Sequence, residues 1–288
     1  MRFDFVKMFR VAGMLSVTVI VVGLIFMALP GRGLRWGLDF TGGVLLQAHF
    51  AGEAPNESAV RELLALQNIT GPVIQRSTNG HDLLVRMGRM TNEQRQAVVA
   101  ALKAKFGEFQ VVRLDDISGS VSSELTKATL LALLVANLGM MLYIALRFEI
   151  KFAVAAIIAL VHDVLVTVGM AAVAGAEVNR TFVAALLTII GYSINDTIVV
   201  YDRIRENLKT KKKGESLASI VNRSINETLT RSINTSLTTL LAVAAIYLFG
   251  GTTTKDFAFA LLVGITAGTY SSIFIASPIW LLWKTKEG

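Results

Sequence analysis

Apolar residues gather into six long runs, at approximately 11–29, 126–146, 152–174, 181–201, 231–249 and 257–283. Each run is about 20 residues with few charges, enough to cross a hydrocarbon core as a helix. Between the first and second runs the pattern changes to short segments. VLLQAHF (44–50) reads as a strand, and NESAVRELLALQ (56–67) as an amphipathic helix with Asn56 as its N-cap. PVIQRS (72–77) and DLLVRM (82–87) read as strands joined across an Asn79-Gly80 turn. TNEQRQAVVAALKAKF (91–106) is a helix opened by a Thr or Asn cap, and EFQVVRLDD (108–116) is a last strand. The expected fold is a polytopic α-helical membrane protein of six spans, carrying one α+β ferredoxin-like domain of order βαββαβ. Three regions follow: a first segment and span over 1–29, the small domain over 30–125, and a bundle over 126–288 with a polar loop at 203–230.

Composition agrees. Of 288 residues, 53% are hydrophobic and 17% charged, and the mean hydropathy is +0.57, too apolar for an ordinary soluble domain. The absence of cysteine excludes disulfides and thiolate metal sites. His49 and His81 stand alone and read as structural; no cluster suggests a metal, a cofactor or an enzymatic nucleophile. The net charge of +7 raises the question of nucleic acid, but its distribution answers it. With the N-terminus inside, the inner segments hold Arg2, Lys7, Arg10, Arg147, Lys151, Arg203, Arg205, Lys209, Lys211, Lys212, Lys213, Arg223, Arg231, Lys284 and Lys286. The short outer loops hold only Arg180 and Lys255. The positive-inside rule then places both termini in the cytoplasm and 30–125 outside. The first span ends in Ala28-Leu29-Pro30-Gly31 without an A-x-A site and reads as an uncleaved anchor.

Ionisable groups inside spans are expensive and mark function more often than not. Asp163 lies about 18 Å along its helix from Lys151, near mid-membrane. Its face carries Ala156, Ala159, Thr167 and Met170; His162 precedes it on a different azimuth. Asp196, next to Asn195, lies about 10 Å inside Arg203. Thr188, Tyr192, Ser193 and Asp196 form one stripe, whose hydroxyls suit a carboxylate or a file of water. Arg231 opens the fifth run, followed by Ser232, Asn234, Thr235, Ser236, Thr238 and Thr239. Its side chain reaches either headgroups or Asp196. Two readings follow, a protonatable pathway or a static buried ion pair that fixes helix register.

Other stretches carry packing signals. WGLDFTGG (36–43) combines Trp36 and Phe40, suited to an interface, with Asp39 and the turn-forming Gly42 and Gly43. Gly264, Gly268, Ser272 and Ala276 recur every fourth residue, a small-residue face for helix packing, most simply within this chain. After KTKKKG (209–214), a charge run read as solvated and lipid-facing, Leu217, Ile220, Val221, Ile225 and Leu229 predict an amphipathic helix on the inner leaflet.

WGLDFTGG, LRFEIKFAVAAIIALVHD (146–163), GYSINDTIVVYDRIREN (191–207), NRSINETLTRSINTSLTTLLA (222–242) and GITAGTYSSIFIASP (264–278) occur together and in order. This set resembles the SecF family of the bacterial protein translocase, across nearly the whole chain. The resemblance implies a bacterial inner-membrane transport component rather than an enzyme, paired with the homologous SecD and associated with the SecYEG channel. It implies promotion of late preprotein translocation by the proton motive force, after the SecA-driven stage. It assigns the coupling acid to Asp196 and its basic partner to Arg231; Asp163 falls in the family's HD pair. The coupling ion, H⁺ or Na⁺, stays open. So do two rival roles, a passive scaffold without ion coupling and a small-molecule exporter, for which so small an outer domain offers little pocket.

Overall fold

The computed structural model describes residues 3–29, 33–77 and 80–285. Arg2, Pro30, Gly31, Asn79 and Lys286, which entered the expectations above, lie outside the described residues. The chain divides into two compact units. One is Trp36–Leu130; the other combines Met1–Arg35 with Leu131–Gly288.

The smaller unit holds a four-stranded antiparallel sheet. Its strands are β1 (Gly43–Phe50), β2 (Val73–Arg76), β3 (Asp82–Met87) and β4 (Phe109–Ile117), in the spatial order β2–β3–β1–β4. Two helices, α3 (Glu57–Leu66) and α4 (Asn92–Phe106), complete the βαββαβ order expected. The caps explain the helix starts. Asn56 Oδ1 accepts from the Ser58 amide at 3.1 Å. Thr91 and Gln94 close a reciprocal capping box. Alternation along β1 turns Val44, Leu46, Ala48 and Phe50 into one core, against Leu83, Val85 and Met87 of β3 and the buried Val60, Leu64, Val98 and Leu102 of the helices. His49 pairs with Asp82 across the sheet at 2.6 Å, and His81 meets the Gly52 carbonyl at 2.7 Å, as structural histidines would.

WGLDFTGG leads into this sheet through a one-turn helix, α2 (Leu38–Thr41), in whose first turn Asp39 lies. Trp36 and Phe40 meet edge to face at 5.9 Å. Gly42 and Gly43 have φ of 68° and 126°. A Cβ on Gly43 would stand 2.4 Å from the Met87 carbonyl oxygen, so the pair is required by both backbone angle and space.

The larger unit is helical. Its elements are α1 (Phe5–Ala28), most of α5 (Gly119–Arg147), α6 (Ile150–Ala174), α7 (Arg180–Lys209), α8 (Leu217–Phe249), α9 (Thr252–Ser271), a five-residue π turn (Ser272–Ala276) and α10 (Ser277–Thr285). Counting α9 to α10 as one, six helices among the described residues are long and apolar enough to cross a membrane. The ends are specified locally. Gly175 caps α6 in the left-handed conformation, Asn179 caps α7 and Ser216 caps α8. The π turn precedes Pro278, which has no N–H to return to the Phe274 carbonyl. Apolar side chains of α1 remain largely exposed, whereas α6, α7 and α9 are the interior of the bundle.

One expectation is corrected here. Residues 217–229 do not form a separate helix on the inner leaflet. They are the first turns of α8, which continues unbroken for 33 residues. Val221 and Ile225 are fully buried in the same core as Val200, Tyr201 and Ile204 of α7 and Trp280 of α10, and Ile220 is fully buried as well. Helical spacing of apolar residues shows that a face is covered, not whether lipid or protein covers it. The polar connection is accordingly short. It leaves only 210–216 between α7 and α8, instead of the expected 203–230.

Candidate functional site

The intramembrane acids belong to the larger unit and differ sharply. Asp163 on α6 is wholly buried. Its Oδ2 accepts from Ser193 Oγ on α7 at 2.6 Å and from Ser271 Oγ on α9 at 2.9 Å. Its Oδ1 lies 2.9 Å from His162 Nδ1. Three helices are thus tied at one carboxyl group. Sequence reasoning placed His162 on another azimuth, which holds for the Cα–Cβ directions of consecutive helical residues. The two side chains nevertheless converge at their tips, a rotamer choice that sequence does not reveal.

Close approach makes this knot possible. A Cβ on Gly268 would sit 2.8 Å from Ser193 Cβ, and one on Gly264 would overlap the Ile189 side chain at 2.2 Å. The small-residue face of α9 therefore receives α7 of the same chain. Ser272 bonds Thr197 Oγ1 at 2.8 Å, extending the polar layer beside the π turn.

Asp196 is 6% exposed, and its Oδ2 is buried without a hydrogen-bond partner. Ser232 Oγ on α8 approaches it, yet also lacks a partner that satisfies hydrogen-bond geometry. Arg231 lies near enough for its charge to act on Asp196. Its side chain is exposed, however, and among the described residues it makes no ion pair. The static Asp196–Arg231 pair envisaged from sequence is not formed within this chain.

The expected stripe on α7 splits. Ser193 turns to Asp163. Tyr192 faces α8, its hydroxyl 3.5 Å from Ser236 Oγ and 3.4 Å from Thr239 Oγ1, and Ser236 bonds Thr269 of α9 at 2.6 Å. Thr188 and Asn195 are exposed, and Thr188 bonds only its own helix, at the Ala184 carbonyl. Sequence reasoning named His162 and Ser236 without their contacts, and it missed Ser271 and Thr269 altogether. A serine or threonine inside a span is too common to single out without knowing which helix it faces.

Beside the Asp163 knot lies a cavity of about 580 Å³ between α1, α6, α8 and α9. Its walls are mostly apolar, with His162, Ser16, Thr266 and Tyr270 among the polar contributors. No group of three or more His, Asp or Glu that could hold a metal ion occurs among the described residues.

Comparison with known proteins fits this arrangement. Residues 97–286 match the family model "Protein export membrane protein SecD/SecF, C-terminal", and residues 28–53 match the "SecD/SecF GG Motif", which contains Gly42 and Gly43. The protein translocase subunit SecF of Desulfurispirillum indicum is 41% identical over 99% of this chain and 94% of its own length. That of Vibrio alginolyticus is 40% identical over 96% of this chain and 88% of its own. Among solved structures, SecDF of Thermus thermophilus, described as a translocon-associated membrane protein, superposes with a TM-score of 0.88 at 36% identity over 99% of this chain. A super-membrane-facing form of SecDF gives 0.71 at 35% identity. This chain spans 39% of the length of either SecDF chain. By family model, full-length relatives and fold alike, the chain belongs to the SecD/SecF family of protein export membrane proteins, in its SecF branch.

Proposed function

We propose that the chain works with a SecD partner, in a bacterial inner membrane, to draw late-stage preproteins outward using the proton motive force. Its termini face the cytoplasm and the smaller unit faces out, following the charge bias of the short loops. One observation supports the reading most: Asp196 carries a buried oxygen without a partner, in the middle of a long apolar helix. Leaving such an atom unsatisfied costs about 1–3 kcal/mol. A carboxyl group held this way is free to take or lose a proton. Arg231, exposed beside it, is available to spans of the partner, so the complete ion site would form only in the complex. Motion that brings Arg231 toward or away from Asp196 would then change proton affinity and couple it to shape. SecYEG and the emerging chain are the expected further partners, with SecA acting earlier.

The test is late-stage translocation in cells or vesicles carrying Asp196→Asn with SecD present. Loss of the gradient-dependent stage, with the complex still assembled, supports coupling at this residue. Normal translocation would leave the chain a scaffold that holds its partners together.

A further inference from the structure

Asp163 is sealed from every side but one. Its own exposure is 0%, Ser193 is 1% exposed and Ser271 is 0%, and neither serine lines the cavity. The third group touching it, His162, does line the cavity. The imidazole is 8% exposed, and while Nδ1 meets Asp163, the opposite nitrogen, Nε2, is buried with no partner. Tyr270 lies against the ring, centroids 6.1 Å apart, and its hydroxyl stands 3.3 Å from Ser16 Oγ. Nε2 itself is covered, but the ring borders the part of this otherwise apolar cavity where the Ser16, Thr266 and Tyr270 hydroxyls gather, so a small movement of the ring would bring the nitrogen to the place where water finds polar partners. From His162 the cavity follows α6 by way of Val166 to Met170, toward the end of the helix remote from Lys151.

We propose that His162 is the port through which Asp163 exchanges a proton with this cavity. The inference goes beyond the Asp196 reading and does not depend on it. With Asp163 a carboxylate and the ring proton on Nδ1, a proton from cavity water binds Nε2 and forms the imidazolium. The Nδ1 proton then passes to Asp163 Oδ1. The products are a neutral carboxylic acid and an Nε2–H imidazole. The pair gains one proton, no electrons move, and the reverse steps return it. Histidine suits the task because either ring nitrogen can carry the proton. The titratable groups against the ring are few: Asp163 on α6 itself and Tyr270 on α9, with Tyr247 of α8 further along the cavity. On the sides of α1 and α7 the groups are the uncharged Ser16 and Ser193.

The chain has three histidines, so His49→Gln with His81→Gln leaves one imidazole and changes only the smaller unit. The full chain carrying both changes, with ¹⁵N-labelled histidine in lipid nanodiscs, is followed by NMR from about pH 5 to about pH 9. We expect the Nδ1–H tautomer at the alkaline end, the Nε2–H tautomer once the pair has taken up its proton, and exchange of the ring protons with water. Thr266→Phe, which fills the cavity, should abolish that exchange, while Leu134→Phe on the exposed face of α5 should leave it intact. A ring that stays one neutral tautomer throughout, or never exchanges with water, overturns the proposal. So does exchange that continues unchanged in Thr266→Phe, since the proton would then reach the ring by another way.

Discussion

Asp163 and Asp196 show how environment separates two chemically identical residues. At Asp163 three hydrogen-bonding partners from α6, α7 and α9 converge. Removing the carboxyl would leave Ser193, Ser271 and His162 buried without it. Interhelical hydrogen bonds in membranes are individually modest, but several orphaned polar groups add up. Asp163→Leu should therefore lower stability by about 2 kcal/mol or more, and Ser193→Ala by about 1 kcal/mol. Reversible unfolding in mixed detergent–lipid micelles measures both; an Asp163→Leu protein as stable as wild type would mean that the knot holds nothing together. The acids themselves were legible in the sequence because charge inside an apolar run is rare. Their partners were not. Ser271 lies one residue off the small-residue repeat, and His162 owes its contact to a rotamer.

At the scale of elements, glycines decide where helices meet. A Cβ on Gly23 of α1 would stand 2.6 Å from Gly169 Cα of α6, a backbone atom that cannot yield. A Cβ on Gly13 of the same helix would meet nothing within 4 Å. Gly23→Ala should cost about 1–3 kcal/mol through forced separation of α1 and α6. Gly13→Ala should be neutral or stabilise by up to about 1 kcal/mol through helix propensity. The same unfolding measurement on the two single variants checks the contrast; equal effects would contradict the close crossing. The spans were readable because hydropathy and length suffice for them. The sheet was readable because alternation, caps and turn residues all agreed. Helix α8 was not, since Leu217–Leu229 and the polar stretch from Arg231 look like two elements by composition. Nothing between them breaks a helix: no proline or glycine occurs from Leu217 to Phe249. The π turn was equally hidden, although Pro278 was its local signal.

For the whole molecule, polar groups in the larger unit fall into two kinds. One kind is satisfied within the chain and packs α6, α7 and α9 together. The other is buried without a partner in the chain; it includes Asp196 Oδ2 and Ser232 Oγ, near the exposed Arg231, and also His162 Nε2, Tyr201 Oη, Arg223 Nε and Trp280 Nε1. On the function proposed above, the incomplete surroundings of Asp196 leave a place for a further component, and ion coupling would belong to the assembled complex. Sequence could point to Asp196 and Arg231 but not to their separation within one chain, because it carries no information about which contacts a partner supplies. The most direct measurement is proton flux across vesicles reconstituted with the chain and its SecD partner, comparing wild type with Asp196→Asn under an imposed gradient. The account predicts flux in the wild type and its loss in the variant; equal flux in both would contradict it.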